Sequence, residues 1–282
     1  MIAFARRASA ILYGLLRATA DPRPFLLPAN VCPIVPETFV AAERAFELVD
    51  IDATTLAMDA PQTIERIRTN AFAGVLFVRP YGSERDPSAL FTALHDVQPE
   101  LLIIDDRCLC RPDVEGNTLS SSADVSLFST GYAKFADLGE GGFAFLRDGV
   151  AFALTSDGPN WLDLGAPDVS WEEHKHRTIE AADASAAHKE TLNAIYARTI
   201  PADVQLPQEF QQWRFNIRVP DSARLVDAAF AAGLFASRHY PAPGNFPVAA
   251  SLHAEIVNLF NDRYFTEAQA RQMADLVRSH LD

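Results

Sequence analysis

Three short apolar runs in the first half of the chain, FLL at 25–27, GVLFV at 74–78 and LLII at 101–104, most limit what it can fold into. A strand with one wet face alternates apolar and polar residues. Near-continuous apolar runs mean burial on both faces, and helical segments between them mean parallel crossovers. Helical spacing is read at 8–19, 33–45, 60–70 and 88–97, and FELVDID adds a strand ending in acidic residues. The expected architecture is therefore α/β, with a mainly parallel sheet covered by helices. In such sheets ligand-binding residues gather at the carboxyl ends of the strands. Pro28-Ala29-Asn30, Tyr81-Gly82 and Asp105-Asp106 all fall there.

After Phe145 the pattern changes. Residues 171–199 are polar, charged and helical in period, which predicts one long connecting helix or a helix pair. WRFNIRVPD reads as a strand, SARLVDAAFAAGL as a helix ending near Gly233, and FASRHYPAP as a strand running into prolines. Thr266 can cap a last helix, with Gln269 at its third position. The expected organisation is a large α/β domain over 1–155, a connecting helical segment over 156–204 and a small α/β domain over 205–282. No internal repeat or flexible linker interrupts it.

The N-terminal stretch MIAFARRASAILYGLLRATA has some features of an export signal, but Arg17 interrupts it. Ile11, Leu12, Leu15 and Leu16 fit one helical face, so a structural helix is expected. No other stretch approaches the roughly 18 apolar residues that span a bilayer, so no membrane partner is expected. A formal charge of −13 excludes nucleic acid and anionic lipid as natural partners. Cys32, Cys108 and Cys110 make no disulfide framework and complete no zinc spacing. On a strand, Cys108 and Cys110 would share a face. All three are read as reduced thiols of a cytoplasmic protein.

The chemistry concentrates in SLFSTGYAKFADLGEGGFAF, residues 126–145. A single lysine, Lys134, stands between two apolar strands and ahead of a Gly-Glu-Gly-Gly turn. Lys134 and a carboxylate at the end of LLIIDD, opening on one crevice, suit pyridoxal phosphate. Its aldehyde takes a lysine amine, its ring nitrogen stays protonated beside a carboxylate, and its phosphate takes hydroxyls and a helix N-terminus. Lys134, Asp106, Ser129 and Ser9, the last at the head of the first helix, offer these groups. Each also has a plainer reading: a solvated lysine, turn-forming aspartates, a turn residue at Glu140 and an ordinary helix cap at Ser9.

The stretch resembles the lysine motif of the DegT/StrS-type sugar aminotransferases, a branch of the fold type I pyridoxal-phosphate enzymes. Phe128-Ser129, Lys134 five positions on, and Gly139-Glu140-Gly141-Gly142 five further match that motif without a gap. IIDD is similar to its I-E-D, which places Asp106 at the ring nitrogen and Asp105 where the family has glutamate. FELVDID is similar to its V-F-V-D-I-D strand, and FASRHYP to the small-domain strand that approaches substrate. The resemblance implies the PLP-transferase fold with a seven-stranded-type sheet. It also implies a homodimer, an amino-acid donor and a keto-sugar-like acceptor.

The chain departs from the pattern in several places. Ala8-Ser9 replaces the phosphate-binding Gly-Thr, and the stacking aromatic falls at Cys32 or Asn30. Leu109 stands where glutamine or histidine is usual. The N-terminal arm, leading strands and partner-reaching Asn-Arg loop are not recognisable. A second reading is therefore a shortened, non-catalytic relative serving as a scaffold, whose crevice Leu109 and Phe135 would fill. His239 and Tyr240 are read as packing before substrate contact. Trp213 and Arg214 are read as a strand edge, with the arginine a conceivable anion contact.

Overall fold

Alternate residues of the apolar runs go to opposite faces of one sheet. Leu26, Val75 and Ile103 face one core, and Leu27, Leu76 and Ile104 face the other. This explains why the runs show no period of two: both sets are buried. The computed structural model describes residues 1–118, 122–241 and 243–281.

The large sheet contains β1 (Ile2–Ala5), β2 (Phe25–Pro28), β3 (Phe46–Val49), β4 (Gly74–Val78), β5 (Leu102–Asp106), β6 (Val125–Ser129) and β7 (Gly142–Leu146). Their order is β1-β7-β6-β5-β4-β2-β3. Strands β2 to β6 run parallel, while β7 lies antiparallel to both β6 and β1. The seven-stranded, mainly parallel expectation is met. Pro28 ends β2 where the ladder to β4 has already stopped, so its missing N–H leaves no gap.

Helices α1 (Ala8–Ala18) and α2 (Ile34–Ala41) cover one face; α3 (Ala60–Thr69) and α4 (Ser88–Val97) cover the other. In α1 the residues Ile11, Leu12, Leu15 and Leu16 are all buried, as their spacing required. Helix α2 ends four residues before the expected 45, because Glu43 takes a left-handed turn at φ 58° toward β3. Strand β1 corrects the expectation that leading strands are missing. With only Ala3 and Ala5 buried, it carries too little apolar pattern to be read alone.

A single helix, α5 (Trp171–Thr199), forms the connection, capped by Ser170, whose hydroxyl accepts from the Glu173 N–H at 3.2 Å. At 1.5 Å per residue it is about 43 Å long. Its last turns put Leu192, Ile195 and Tyr196 into a second core. That core lies on an antiparallel sheet of β8 (Phe215–Arg218), β10 (Ile256–Leu259) and β9 (Ala236–Ser237), in the order β8-β10-β9. Helices α6 (Ser222–Ala231), α7 (Pro247–Glu255) and α8 (Glu267–Leu281) complete this region. The Thr266–Gln269 capping box forms as expected: Thr266 N–H donates to Gln269 Oε1 at 2.9 Å and Gln269 N–H to Thr266 Oγ1 at 3.2 Å. Helix α7 and the central strand β10, which follow each other without a loop, had no signature in the sequence.

Candidate active site

The parallel strands end on one edge of the large sheet, where Asn30, Arg79, Asp106 and Ser129 face a cleft of about 590 Å³. That size suits a cofactor with part of a substrate. Lys134, Ser9 and Cys32 line the same cleft. All five residues singled out from the sequence are thus brought together.

Lys134 follows β6 in a tight, polar loop. The Asp137 carboxylate accepts the N–H groups of Ala133 and Gly139, both at 2.9 Å, and the Lys134 N–H donates to the Gly131 carbonyl at 3.2 Å. Ala133, directly before the lysine, holds a left-handed φ of 60°. Such a conformation costs a residue with a Cβ about 1–3 kcal/mol, so the surroundings must impose it.

The glycines after it serve packing. A Cβ on Gly142 would lie 2.2 Å from the Ala8 nitrogen, so only glycine lets the N-terminus of α1 rest against β7. Gly141 sits at φ 101°, and a Cβ there would meet Thr130 and His174. The Gly-Glu-Gly-Gly turn therefore seats a helix N-terminus at the wall of the cleft.

The two aspartates of β5 diverge because neighbours on a strand point to opposite faces. Asp105 is clamped by Arg79, whose Nε and second terminal nitrogen each donate at 2.7 Å, and by Arg107 at 3.3 Å. Its carboxylate is saturated and 1% exposed. Asp106 accepts the Cys108 N–H at 2.9 Å and is met by the Cys108 thiol, and it pairs with no arginine among the described residues. Burial pushes its carboxyl above the usual range, and the field of Lys134 offsets this in part. A buried carboxylate short of positive charge is a fitting neighbour for a protonated ring nitrogen.

At the other end, Ser129 and Ser9 stand beside the N-terminus of α1, where free N–H groups and the helix dipole favour an anion. Ser129 is 8% exposed and accepts the Gly131 N–H at 3.3 Å. The residues present therefore fit pyridoxal phosphate at its ring nitrogen, aldehyde and phosphate ends.

Several sequence expectations change. Arg214 lies away from the cleft lining: it is 2% exposed and bonded to Asp262 at 2.6 Å, over the Phe260 ring. Cys108 and Cys110 lie in the turn after β5, not on a strand, and burial raises both thiols, Cys110 to about 12. All three cysteines are free. Phe135 packs with Ala136 and Ala182 instead of filling the crevice, and Leu109 is one wall of an open cleft.

His239 and Tyr240 line the cleft, and His239 also packs within the fold. Its Nε2 donates to the Asn30 carbonyl at 2.6 Å and its ring meets Tyr81, tying the strand end to the large sheet. Burial lowers its pKa to about 4. At the position of the missing aromatic, Cys32 instead meets Tyr240, whose phenol is raised by burial and by that thiol.

Four arginines of the cleft were not singled out from sequence: Arg6 and Arg79 are held by carboxylates, and Arg7 and Arg238 are not. Arg7, the residue before α1, and Arg238, beside β9, both line the cleft, and neither makes an ion pair among the described residues. Arg7 carried a signal in its place just before the phosphate-helix candidate. Arg238 carried none beyond its strand.

No family model matches the chain, and no curated protein does. Solved structures do. A DegT/DnrJ/EryC1/StrS aminotransferase from Brucella abortus is 17% identical with a TM-score of 0.71, over 99% of this chain and 85% of that one. DesI, solved in the presence of its TDP-sugar product, is 17% identical with a TM-score of 0.78, over 99% and 80%. DesV of S. venezuelae, in complex with a ketimine intermediate, is 16% identical with a TM-score of 0.77, over 100% and 85%. Over nearly its whole length, the fold of the chain is that of the sugar aminotransferases.

Proposed function

We propose that the chain is a pyridoxal-phosphate-dependent aminotransferase of the sugar-aminotransferase type. The observation that carries this is the shared cleft of Lys134 and Asp106, one an amine on a constrained loop and the other a buried carboxylate with no arginine against it. Pyridoxal phosphate, when bound, supplies a ring that takes up negative charge from the carbon that loses its proton. Lys134 would hold the cofactor through its Nζ, and its amine would serve as the base that moves a proton at the substrate carbon. Asp106 keeps the ring nitrogen charged. Ser129, Ser9, the α1 N-terminus and Arg7 hold the phosphate, and Arg238 receives an anionic group of donor or acceptor.

An amino-acid donor and a keto-sugar acceptor, homodimeric assembly and a cytoplasmic location belong to this reading by likeness. Among the described residues no helix is long and apolar enough to cross a membrane. The open cleft speaks against the scaffold alternative.

The test is an absorption spectrum of purified protein with added pyridoxal phosphate, beside Lys134→Ala. A visible band that borohydride fixes in the parent, and that the variant lacks, is expected. No band in the parent at saturating cofactor would sink the reading.

A further inference from the structure

The loop that carries Lys134 is held from outside by the region around the small sheet. The indole Nε1 of Trp213 donates to the Ala133 carbonyl at 2.7 Å, directly before the lysine and on the residue with the left-handed φ. Trp213 is itself fixed on two more sides. Its N–H donates to the Tyr81 carbonyl at 3.1 Å, beyond the end of β4. Its carbonyl accepts from Lys189 Nζ on α5 at 2.7 Å, and Lys189 also donates to Asn261 Oδ1 at 2.9 Å, between β10 and α8.

Lys189 is an unusual group to bury. It is 4% exposed, lies 5.6 Å from the Phe135 ring centroid, and makes no ion pair among the described residues. Asp262, the nearby carboxylate, is already bonded to Arg214. Burial lowers the Lys189 ammonium to about 7, with the Arg214 charge adding to the shift. An apolar side chain would fill the space at lower cost, so the amine is retained for its two hydrogen bonds. Those bonds join α5 and the β10–α8 turn to Trp213, and Trp213 joins them to the lysine loop.

We propose that Trp213 is the positioning residue for Lys134: its indole holds the Ala133 carbonyl in the turn that aims the lysine into the cleft, and Lys189 fixes Trp213 from behind. How the small sheet sits is thereby transmitted to the reactive amine. The role assigned to Lys134 rests on the aminotransferase reading; the clamp on its loop does not.

The test has two arms, run on the full chain as Trp213→Phe, Lys189→Met and the parent. The first is amide hydrogen exchange of the protein without cofactor, followed over residues 131–139. Loss of one such hydrogen bond is expected to speed exchange there roughly tenfold in Trp213→Phe, with a smaller rise in Lys189→Met, while β4 to β6 stay as protected as in the parent. The second arm adds pyridoxal phosphate and follows the visible band as pH is varied. Both variants are expected to form the band more slowly and to shift the pH at which it changes colour.

Unchanged exchange over 131–139 in both variants would overturn the clamp, whatever the spectra do. Faster exchange with an unchanged band and titration would overturn the positioning of the amine. A parent without a band would refute the aminotransferase reading, and with it any role in aiming the amine; exchange would then decide only the clamp. If Trp213→Phe loses protection throughout the sheet, Lys189→Met, which leaves the indole in place, decides the same question.

Discussion

On one face of β5, Asp105 is locked between two guanidinium groups and closed to solvent; on the other, Asp106 opens on the cleft with Cys108 as its hydrogen-bond partner and no guanidinium against it. The residues are identical and adjacent, and strand geometry alone separates them. The Asp105 side is finished: Arg79 joins β4 to β5, and nothing remains to bind. The Asp106 side is unfinished, and its cost is visible in the raised carboxyl. A fold that completes one aspartate and leaves its neighbour wanting a cation marks which face serves function.

The strongest way to break this comparison is to remove each carboxylate in turn. Asp105→Ala strands Arg79 and Arg107 in the interior and is expected to cost about 3–5 kcal/mol, read from urea unfolding. Asp106→Asn is expected to leave stability at pH 7 unchanged or raised, while weakening retention of pyridoxal phosphate. Equal losses in the two variants would show that both faces are structural.

Varying pH adds a second contrast, carried by the buried histidines and by Asp106. His239 binds its proton near pH 4 when folded and near 6.5 when unfolded. The unfolded chain therefore takes up more protons in that window, and stability falls as pH drops from 6.5 toward 4, by up to about 3 kcal/mol for this one group. His174, buried against Thr130 and also lowered to about 4, acts in the same direction. Asp106 opposes them: its raised carboxyl gains a proton when folded, relieving its cost as pH falls. Urea midpoints at pH 7 and 4.5 should show a net loss, and His239→Gln should flatten it. A flat parent profile would refute the buried neutral histidines.

A smaller effect is expected at the helix that borders the cleft. Gly142→Ala drives a methyl into the Ala8 backbone and is expected to cost about 1–3 kcal/mol by thermal unfolding. It should also weaken cofactor binding, since it shifts the α1 N-terminus. Smallest in stability is Ser129→Ala, with cofactor affinity roughly tenfold weaker by titration of the visible band. An unchanged affinity would remove Ser129 from the phosphate site.

Much of the fold was legible. Runs such as GVLFV and LLII, with helical spacing between them, need only local pattern to indicate a buried parallel sheet, and SALFTALHDV matched α4 residue for residue. Strand β1 and the α7–β10 unit were not legible. IAFA is short and built half of alanine, and IVNL carries the buried Asn258, which is stabilised by Asn216 at 2.6 Å from another strand. A polar residue there argues against a core strand until its partner, 42 positions away, is known.

The sequence by itself determined the alternation of strands and helices, the glycine turn and the spacing of Ser129, Lys134 and Gly139. These depend on neighbours a few residues apart, and short-range backbone and burial rules act at that range. Only the tertiary structure decided that Arg79 neutralises Asp105, that Arg214 is spent on Asp262, that Arg7 and Arg238 reach the cleft, and that Trp213 holds the carbonyl before Lys134. The three bonded pairs lie 26, 48 and 80 positions apart. No local period encodes such pairs, because chain crossovers, not side-chain chemistry, choose which groups meet.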